Sequence, residues 1–116
     1  MNSTTTLTTA PTAENTTELE SRYRARFNPP AGYKLSMTDW DTRELHLDAE
    51  YSGEWQDPTQ RGATWLITSH WTNQGGLKFY ADHATTEGRP DDEPFTAEQA
   101  LEMAAALTDL VERLTD

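Results

Sequence analysis

Three consecutive segments of the chain alternate apolar and polar residues with a period of two, and this alternation limits the fold more than any other feature. The segments are RYRARF (22–27), YKLSMT (33–38) and ELHLDAEY (44–51). Successive side chains of a strand point to opposite faces, so this pattern is typical of an antiparallel sheet with one buried face. The segments therefore predict three strands, separated by the turn-forming stretches NPPAG (28–32) and DWDTR (39–43).

Two further strands are predicted, one before and one after the turn sequence NQGG (73–76). A two-residue loop, 75–76, would mix apolar and polar side chains on both faces of the hairpin. A three-residue loop, 74–76, separates a polar face from a core face, and three-residue loops with glycine in the left-handed position are common in hairpins. We therefore favour the three-residue loop, whose core face holds Trp65, Ile67, Ser69, Trp71, Leu77, Phe79 and Ala81.

The histidines of this hairpin bear on whether the chain could bind a metal. In the favoured register His70 points to solvent and His83 lies on the opposite face, so the two cannot share an ion. In the other register they would be diagonal neighbours about 7–8 Å apart, which leaves a metal site as an alternative. His46, on the polar face of its strand, is expected to pair across strands with an acid or with one of Arg22, Arg24 and Arg26.

A C-terminal helix is predicted to begin at Thr96. Residues 96–99 (TAEQ) fit a capping box, and Phe95 is placed to act as a hydrophobic staple against Ala100. Spacings of three and four predict one apolar stripe, made of Ala100, Met103, Ala104, Leu107, Leu110, Val111 and Leu114.

The predicted fold is therefore α+β, with an antiparallel, meander-like sheet of about five strands packed against one C-terminal helix. Residues 21–116 are expected to form this single domain. Residues 1–20 are predicted to be a disordered, Thr-rich tail, with at most one helical turn after a capping box at 17–20.

Charge narrows the classes of partner. The chain has 20 acidic and 9 basic side chains, a formal net charge of −11, and residues 28–116 carry all of it. Such a domain repels phosphate backbones, so direct nucleic-acid binding is not expected, whereas basic proteins or cations are suitable partners. The alternative is that the charge serves only solubility.

Several classes of function lack their sequence features. Without cysteine the chain has no disulfide, thiolate metal site or cysteine nucleophile, and it contains no phosphate-binding or nucleophile-elbow motif. We therefore expect neither an enzyme nor a cofactor. No apolar stretch approaches the length of a membrane helix and no secretory signal is present, so a cytoplasmic protein without membrane contact is expected.

Two tryptophans in predicted connections are candidate binding anchors. Trp40 lies in DWDT and Trp55 in GEWQDP, each beside acids, and exposed loop tryptophans are frequent binding hot spots. The alternative is that each folds back over the small core. The candidate binding residues are Trp40, Trp55, Asp39, Asp41, Glu44, Asp48, Glu50 and Glu54.

The C-terminal sequence PFTAEQALEMAAALTDLVERL (94–114) resembles the last helix of small proteins from actinobacteria and their phages, whose function is mostly unassigned. The resemblance implies an accessory protein of a phage or mobile element, and it assigns no functional residue.

The function expected from these features is a non-catalytic, acidic module that binds a protein partner with a basic surface. A more specific hypothesis is an inhibitor that fills the nucleic-acid-binding groove of a host protein with carboxylates in place of phosphates. One alternative is a metal-binding protein or metal-dependent enzyme using His70, His83 and nearby acids. Another is a structural domain that self-associates through an edge strand or the Ala-rich helix.

Overall fold

The computed structural model of the protein describes residues 15–56, 58–60 and 62–115. Helix α1 (Thr16–Phe27) is followed by strands β1 (Lys34–Asp39) and β2 (Glu44–Glu54) and a short 3₁₀ helix (Pro58–Gln60). Strands β3 (Thr64–Thr72), β4 (Gly76–Ala84) and β5 (Pro90–Asp91) then precede helix α2 (Ala97–Thr115). Residues 1–14 of the predicted tail lie outside the described residues.

The five strands form one sheet in the order β1-β2-β3-β4-β5, so each strand lies beside its neighbour in sequence. The strand pairs at both edges of the sheet, β1 with β2 and β4 with β5, are antiparallel. The predicted α+β fold, a meander of antiparallel strands with one C-terminal helix, is confirmed. None of the described helices is long and apolar enough to cross a bilayer.

The predicted strand at 22–27 is wrong, because these residues complete helix α1. The alternation of arginine with Tyr23, Ala25 and Phe27 is compatible with a strand, but side-chain contacts between residues four apart stabilise a helix here instead. Tyr23 and Phe27 meet edge to face, with ring centroids 5.3 Å apart. Arg24 forms an i,i+4 ion pair with Glu20 at 2.7 Å. Pairs four residues apart meet on a helix but not along a strand, and each adds a few tenths of a kcal/mol.

The ends of helix α1 also correct the predicted tail. Asn15 is the N-cap, and its Oδ1 accepts a hydrogen bond from the Glu18 backbone N at 2.8 Å. Asn28 closes the helix in the left-handed conformation, with φ 50°, and its N–H donates to the Arg24 carbonyl. Residues 16–20 are thus helical rather than part of a tail, and the helix begins before the capping box predicted at 17–20.

The sheet still has five strands because residues 90–91, between β4 and the C-terminal helix, form a short strand. Strand β5 is only two residues long, and it pairs His83 with Asp91 and Ala84 with Pro90. A strand of two residues is too short to show an alternation of apolar and polar side chains, so the sequence pattern could not predict β5.

Contacts divide the chain into two compact units. The first contains the described residues up to Asp48 together with 70–77. Its buried apolar side chains include Leu19 of α1, Tyr33, and Leu45 and Leu47 of β2. Arg24 donates from Nη2 to the Tyr33 carbonyl at 2.6 Å, which joins α1 to the residue before β1.

The second unit contains residues 49–69 and those from Lys78 onward. Its core is built on Trp55, Ile67, Met103 and Leu110, and the partly buried side chains packed against it include Trp65, Phe79 and Ala81. Trp65 and Ile67 of β3 therefore share one core with Phe79 and Ala81 of β4, as expected from the hairpin register with a three-residue loop. The turn itself comprises residues 73–75, one position earlier than predicted.

Helix α2 begins with the predicted capping box. The Thr96 hydroxyl accepts from the Gln99 backbone N at 3.1 Å, and the Gln99 Oε1 accepts from the Thr96 backbone N at 2.9 Å. The buried stripe is rotated from the prediction, because Ala100 and Ala104 are exposed while Gln99 is buried with Met103 and Leu110. The longer side chains fill the core, and the alanines that could allow close approach face outward.

Candidate functional site

The connection between β1 and β2 is a turn that contains the candidate residues Trp40 and Asp41 and is fixed by Asp39 and Arg43. Asp39 Oδ1 accepts hydrogen bonds from the backbone N of Asp41, at 3.0 Å, and of Thr42, at 3.3 Å. Arg43 closes the turn in the left-handed conformation, with φ 57°. Its guanidinium carbon lies 5.5 Å from the centroid of the half-buried Trp40 ring. An aspartate at the start of a turn fixes its backbone in this way, so Trp40 is held in place by its neighbours.

Two polar side chains of the β3–β4 turn fasten this connection. Asn73 Oδ1 accepts from the Leu45 backbone N at 2.7 Å, and its Nδ2 donates to the Arg43 carbonyl at 3.2 Å. Gln74 Nε2 donates to the Thr42 carbonyl at 2.8 Å. Three hydrogen bonds from adjacent residues therefore fix the backbone on the C-terminal side of Trp40.

Replacing Asn73 with alanine is expected to lower the free energy of unfolding by about 1–3 kcal/mol, because it leaves the N–H of buried Leu45 without its acceptor. Amide exchange at Leu45, whose N–H donates to Asn73, should accelerate, as measured by NMR. Gln74→Ala, which removes a single donor to the carbonyl of the exposed residue Thr42, should cost less. Equal protection of the Leu45 amide in Asn73→Ala and the unchanged protein would contradict the role of Asn73.

A row of four titratable side chains lies on β2 and β3 within the first unit. His46 Nε2 is 3.2 Å from Glu44 Oε1, and His46 Nδ1 is 2.9 Å from His70 Nε2. His70 Nδ1 in turn contacts Asp48 Oδ1. Glu44, His46 and Asp48 alternate along β2, so all three reach one face of that strand.

The histidines differ from their predicted surroundings. His70 was expected to face solvent, but it is half-buried, and its ring nitrogens contact His46 and Asp48. His46 has the expected acidic partner, Glu44, but on its own strand rather than across strands. His83 belongs to the second unit, where it contacts Trp55 and Phe95. Among the described residues, no group of three or more His, Cys, Asp or Glu side chains could hold a metal ion.

The prediction that Trp55 is an exposed anchor is wrong. Trp55 is 1% exposed, and its ring centroid lies 5.3 Å from that of His83 and 5.6 Å from that of Phe95. A tryptophan side chain has a large apolar area, so burying Trp55 contributes strongly to the core of a small domain. Its acidic neighbour Glu54, and Glu50 earlier on β2, remain exposed.

The candidate residues thus fall into two groups. Trp40, Asp39, Asp41, Glu44 and Asp48 belong to the first unit, and Trp55, Glu50 and Glu54 to the second. Sequence reasoning missed Asn73 and Gln74, which it treated only as turn residues. It also missed the contact of His46 with His70, although both had been placed on polar faces and the predicted meander would make their strands neighbours.

Comparison of the chain with protein-family models, with curated proteins and with solved structures finds no match in any of the three.

Proposed function

We propose that the protein is a non-catalytic, acidic module that binds a protein partner with a basic surface. The observation that carries this proposal is the turn around Trp40, in which a half-buried tryptophan is flanked by Asp39 and Asp41 and fastened by Asn73 and Gln74. Tryptophan is among the residues most enriched at binding hot spots.

Rigidity supports this role for the turn. Ordering a loop on association costs binding free energy, and a turn that is already fixed avoids part of that cost. Asp41 is exposed, and its carboxylate makes no ion pair or hydrogen bond with a described residue. It is therefore available to a cation of the partner.

Charge supplies the second part of the proposal. With a formal net charge of −11, the protein attracts a basic surface from a distance and raises the rate of encounter. The exposed turn, together with Glu44 and Asp48 of the same unit, then decides where the partner docks.

The more specific form of the proposal is that the partner is a nucleic-acid-binding protein of a host cell, and that the chain belongs to a phage or mobile element. Glu44, Asp48, Glu50 and Glu54 occupy even positions of β2. Side chains two residues apart on a strand are separated by about 6.5 Å. A partner groove that binds phosphates would meet these carboxylates instead.

The experiment is capture of partners on immobilised protein from an actinobacterial lysate, at low and at high salt, beside a Trp40→Ala column. A basic protein retained at low salt, released at high salt and lost from the Trp40→Ala column is expected. A protein retained equally by both columns, or held at high salt, would contradict the proposal. If nothing is retained, sedimentation and metal analysis of the purified protein test the self-associating and metal-binding alternatives.

A further inference from the structure

Strand β1 is an open edge of the sheet. It pairs with β2 on one side, and no described strand lies on its other side. Its first four residues are exposed, Leu35 to 38% and Met37 to 50%. The opposite edge differs, because β5 has only two residues and one of them is Pro90, which has no backbone N–H. An open strand presents backbone N–H and C=O groups to a further strand, so β1 is the edge that can accept one.

A β-bulge aligns three side chains of β1. The pairing with β2 shifts by one residue between Leu35 and Met37, so Ser36 is the extra residue there. Lys34, Met37 and Asp39 pair with alternate residues of β2, namely Asp48, His46 and Glu44. Directly opposite residues of an antiparallel pair point to the same face, so these three side chains of β1 share one face. In chain order they are a cation, an apolar side chain and a carboxylate.

These three side chains are complementary to those of a second copy of the chain. In an antiparallel pair of two β1 strands, placing Lys34 opposite Asp39 of the second copy also places Asp39 opposite its Lys34. The two Met37 side chains then lie next to each other across the two-fold axis, on the same face as the charges. The turn hydrogen bonds of Asp39 use Oδ1, so its Oδ2 can accept from the second copy. An apolar centre flanked by ion pairs is the usual arrangement of a protein interface.

The net charge of the protein opposes this contact only weakly, because little of it lies in the part of the chain that holds β1. Residues 1–48 and 70–77 have five basic and seven acidic side chains, which gives −2 of the total of −11. The remaining −9 belongs to residues 49–69 and 78–116. At physiological salt the Debye length is about 8 Å, so exposed charges farther than this from β1 are largely screened.

We infer that the protein forms a symmetric dimer in which the β1 strands of two copies pair antiparallel, with Lys34 of each copy opposite Asp39 of the other. Each copy contributes a strand of only six residues. Interfaces below about 1,200 Å² are typical of weak, transient association, so the dimer dissociates readily, with a Kd on the order of 100 µM. The two Trp40 turns follow opposite ends of the paired strands, so the dimer presents two of them to a partner.

The test is sedimentation velocity of the whole protein from about 10 µM to about 1 mM at physiological salt. We expect the average sedimentation coefficient to rise from the monomer value towards the dimer value across this range. A monomer at every concentration would overturn the inference. Leu101, which is 74% exposed on α2, tests the other candidate surface. A dimer that is lost in Leu101→Glu and kept in Lys34→Glu would place the interface on α2 and would also overturn the inference.

Two variants with equal changes in net charge separate the β1 contact from general repulsion. Lys34→Glu sets a carboxylate against Asp39 at both ends of the paired strands and should weaken the dimer by about tenfold or more. Lys78→Glu makes the same change at the other lysine of the chain, on β4, and should change the Kd less than about twofold. Equal weakening by the two variants would contradict the pairing.

A rescue variant shows that the loss arises between copies. Lys34→Glu also places a carboxylate opposite Asp48 of its own chain, which could disturb β1 itself. Adding Asp39→Asn removes the repulsion between copies, leaves the contact with Asp48 unchanged and keeps an Oδ1 for the turn. The double variant should recover at least about threefold of the lost affinity. Absence of recovery would contradict the register of Lys34 opposite Asp39.

The inference does not depend on the proposed function, because the dimer is measured without a partner. Capture of a basic partner by a protein that stays monomeric would retain the proposed function and contradict the dimer. A dimer that Lys34→Glu dissociates, from a protein that captures no partner, would retain the dimer and contradict the proposed function.

Discussion

Replacing Trp55 with alanine is expected to lower the free energy of unfolding by about 3–5 kcal/mol, the usual cost of truncating a buried aromatic residue. Trp55 is 1% exposed and belongs to the same core as Ile67, Met103 and Leu110. Its removal would leave a cavity beside His83 and Phe95, both of which contact its ring. A domain of this size has about 5–15 kcal/mol of stability, so the variant would be close to unfolding.

Urea unfolding followed by circular dichroism measures this effect, and two further substitutions serve as controls. Trp55→Phe should cost much less than alanine, because Trp55 Nε1 has no hydrogen-bond partner to lose among the described residues. Trp40→Ala should also cost less, because Trp40 is only half-buried. A Trp55→Ala protein as stable as Trp40→Ala would show that Trp55 is not part of the core.

Gly53→Ala is expected to destabilise the protein by about 1–3 kcal/mol, through overpacking rather than through a lost contact. A methyl group built on Gly53 would collide with the indole of Trp65, on the side of the ring that carries Nε1. Trp65 packs against the core of the second unit, so its ring has to move for the methyl group to fit. The glycine is therefore required here by the close approach of an aromatic ring.

The matched control is Ser52→Ala, at the exposed position beside Gly53 on the same strand. Its effect on the free energy of unfolding should stay within about 0.5 kcal/mol. Intrinsic fluorescence would report the movement of Trp65 in Gly53→Ala. If Gly53→Ala unfolds at the same urea concentration as Ser52→Ala, the packing of Trp65 against residue 53 is wrong.

The alternation at the start of β2 correctly predicted a strand with one buried face, on which Leu45 and Leu47 lie. Strand β3 was also predicted, although it buries residues of both faces, including Ile67 and its neighbour Leu66. The capping box of α2 was equally predictable, because both of its hydrogen bonds join residues three apart. The prediction of a strand at 22–27 failed because this segment fits both the period of two residues of a strand and the i,i+4 spacing of a helix. Its i,i+4 pairs, Glu20 with Arg24 and Tyr23 with Phe27, could have indicated the helix.

The candidate site was predictable only where local sequence shapes it. DWDTR folds as a turn through the Asp39 side chain, so Trp40 lies where the sequence placed it. Trp55 had the same acidic surroundings, but its burial depends on Met103 and Leu110, which are distant in sequence. The hydrogen bonds of Asn73 and Gln74 to the Trp40 turn, and the contact of His46 with His70, join residues more than 20 positions apart. No local pattern encodes them.

The measurement that most directly tests the acidic binding module is calorimetric titration of the captured basic partner into the wild-type protein and into Trp40→Ala, at low and high salt. We expect wild-type affinity to fall as salt rises, and Trp40→Ala to bind about 30-fold more weakly at each salt concentration, as at a hot spot of about 2 kcal/mol. Asp41→Asn should reduce the salt dependence while leaving stability unchanged. Equal affinity of Trp40→Ala and wild type, with no dependence on salt, would contradict the account.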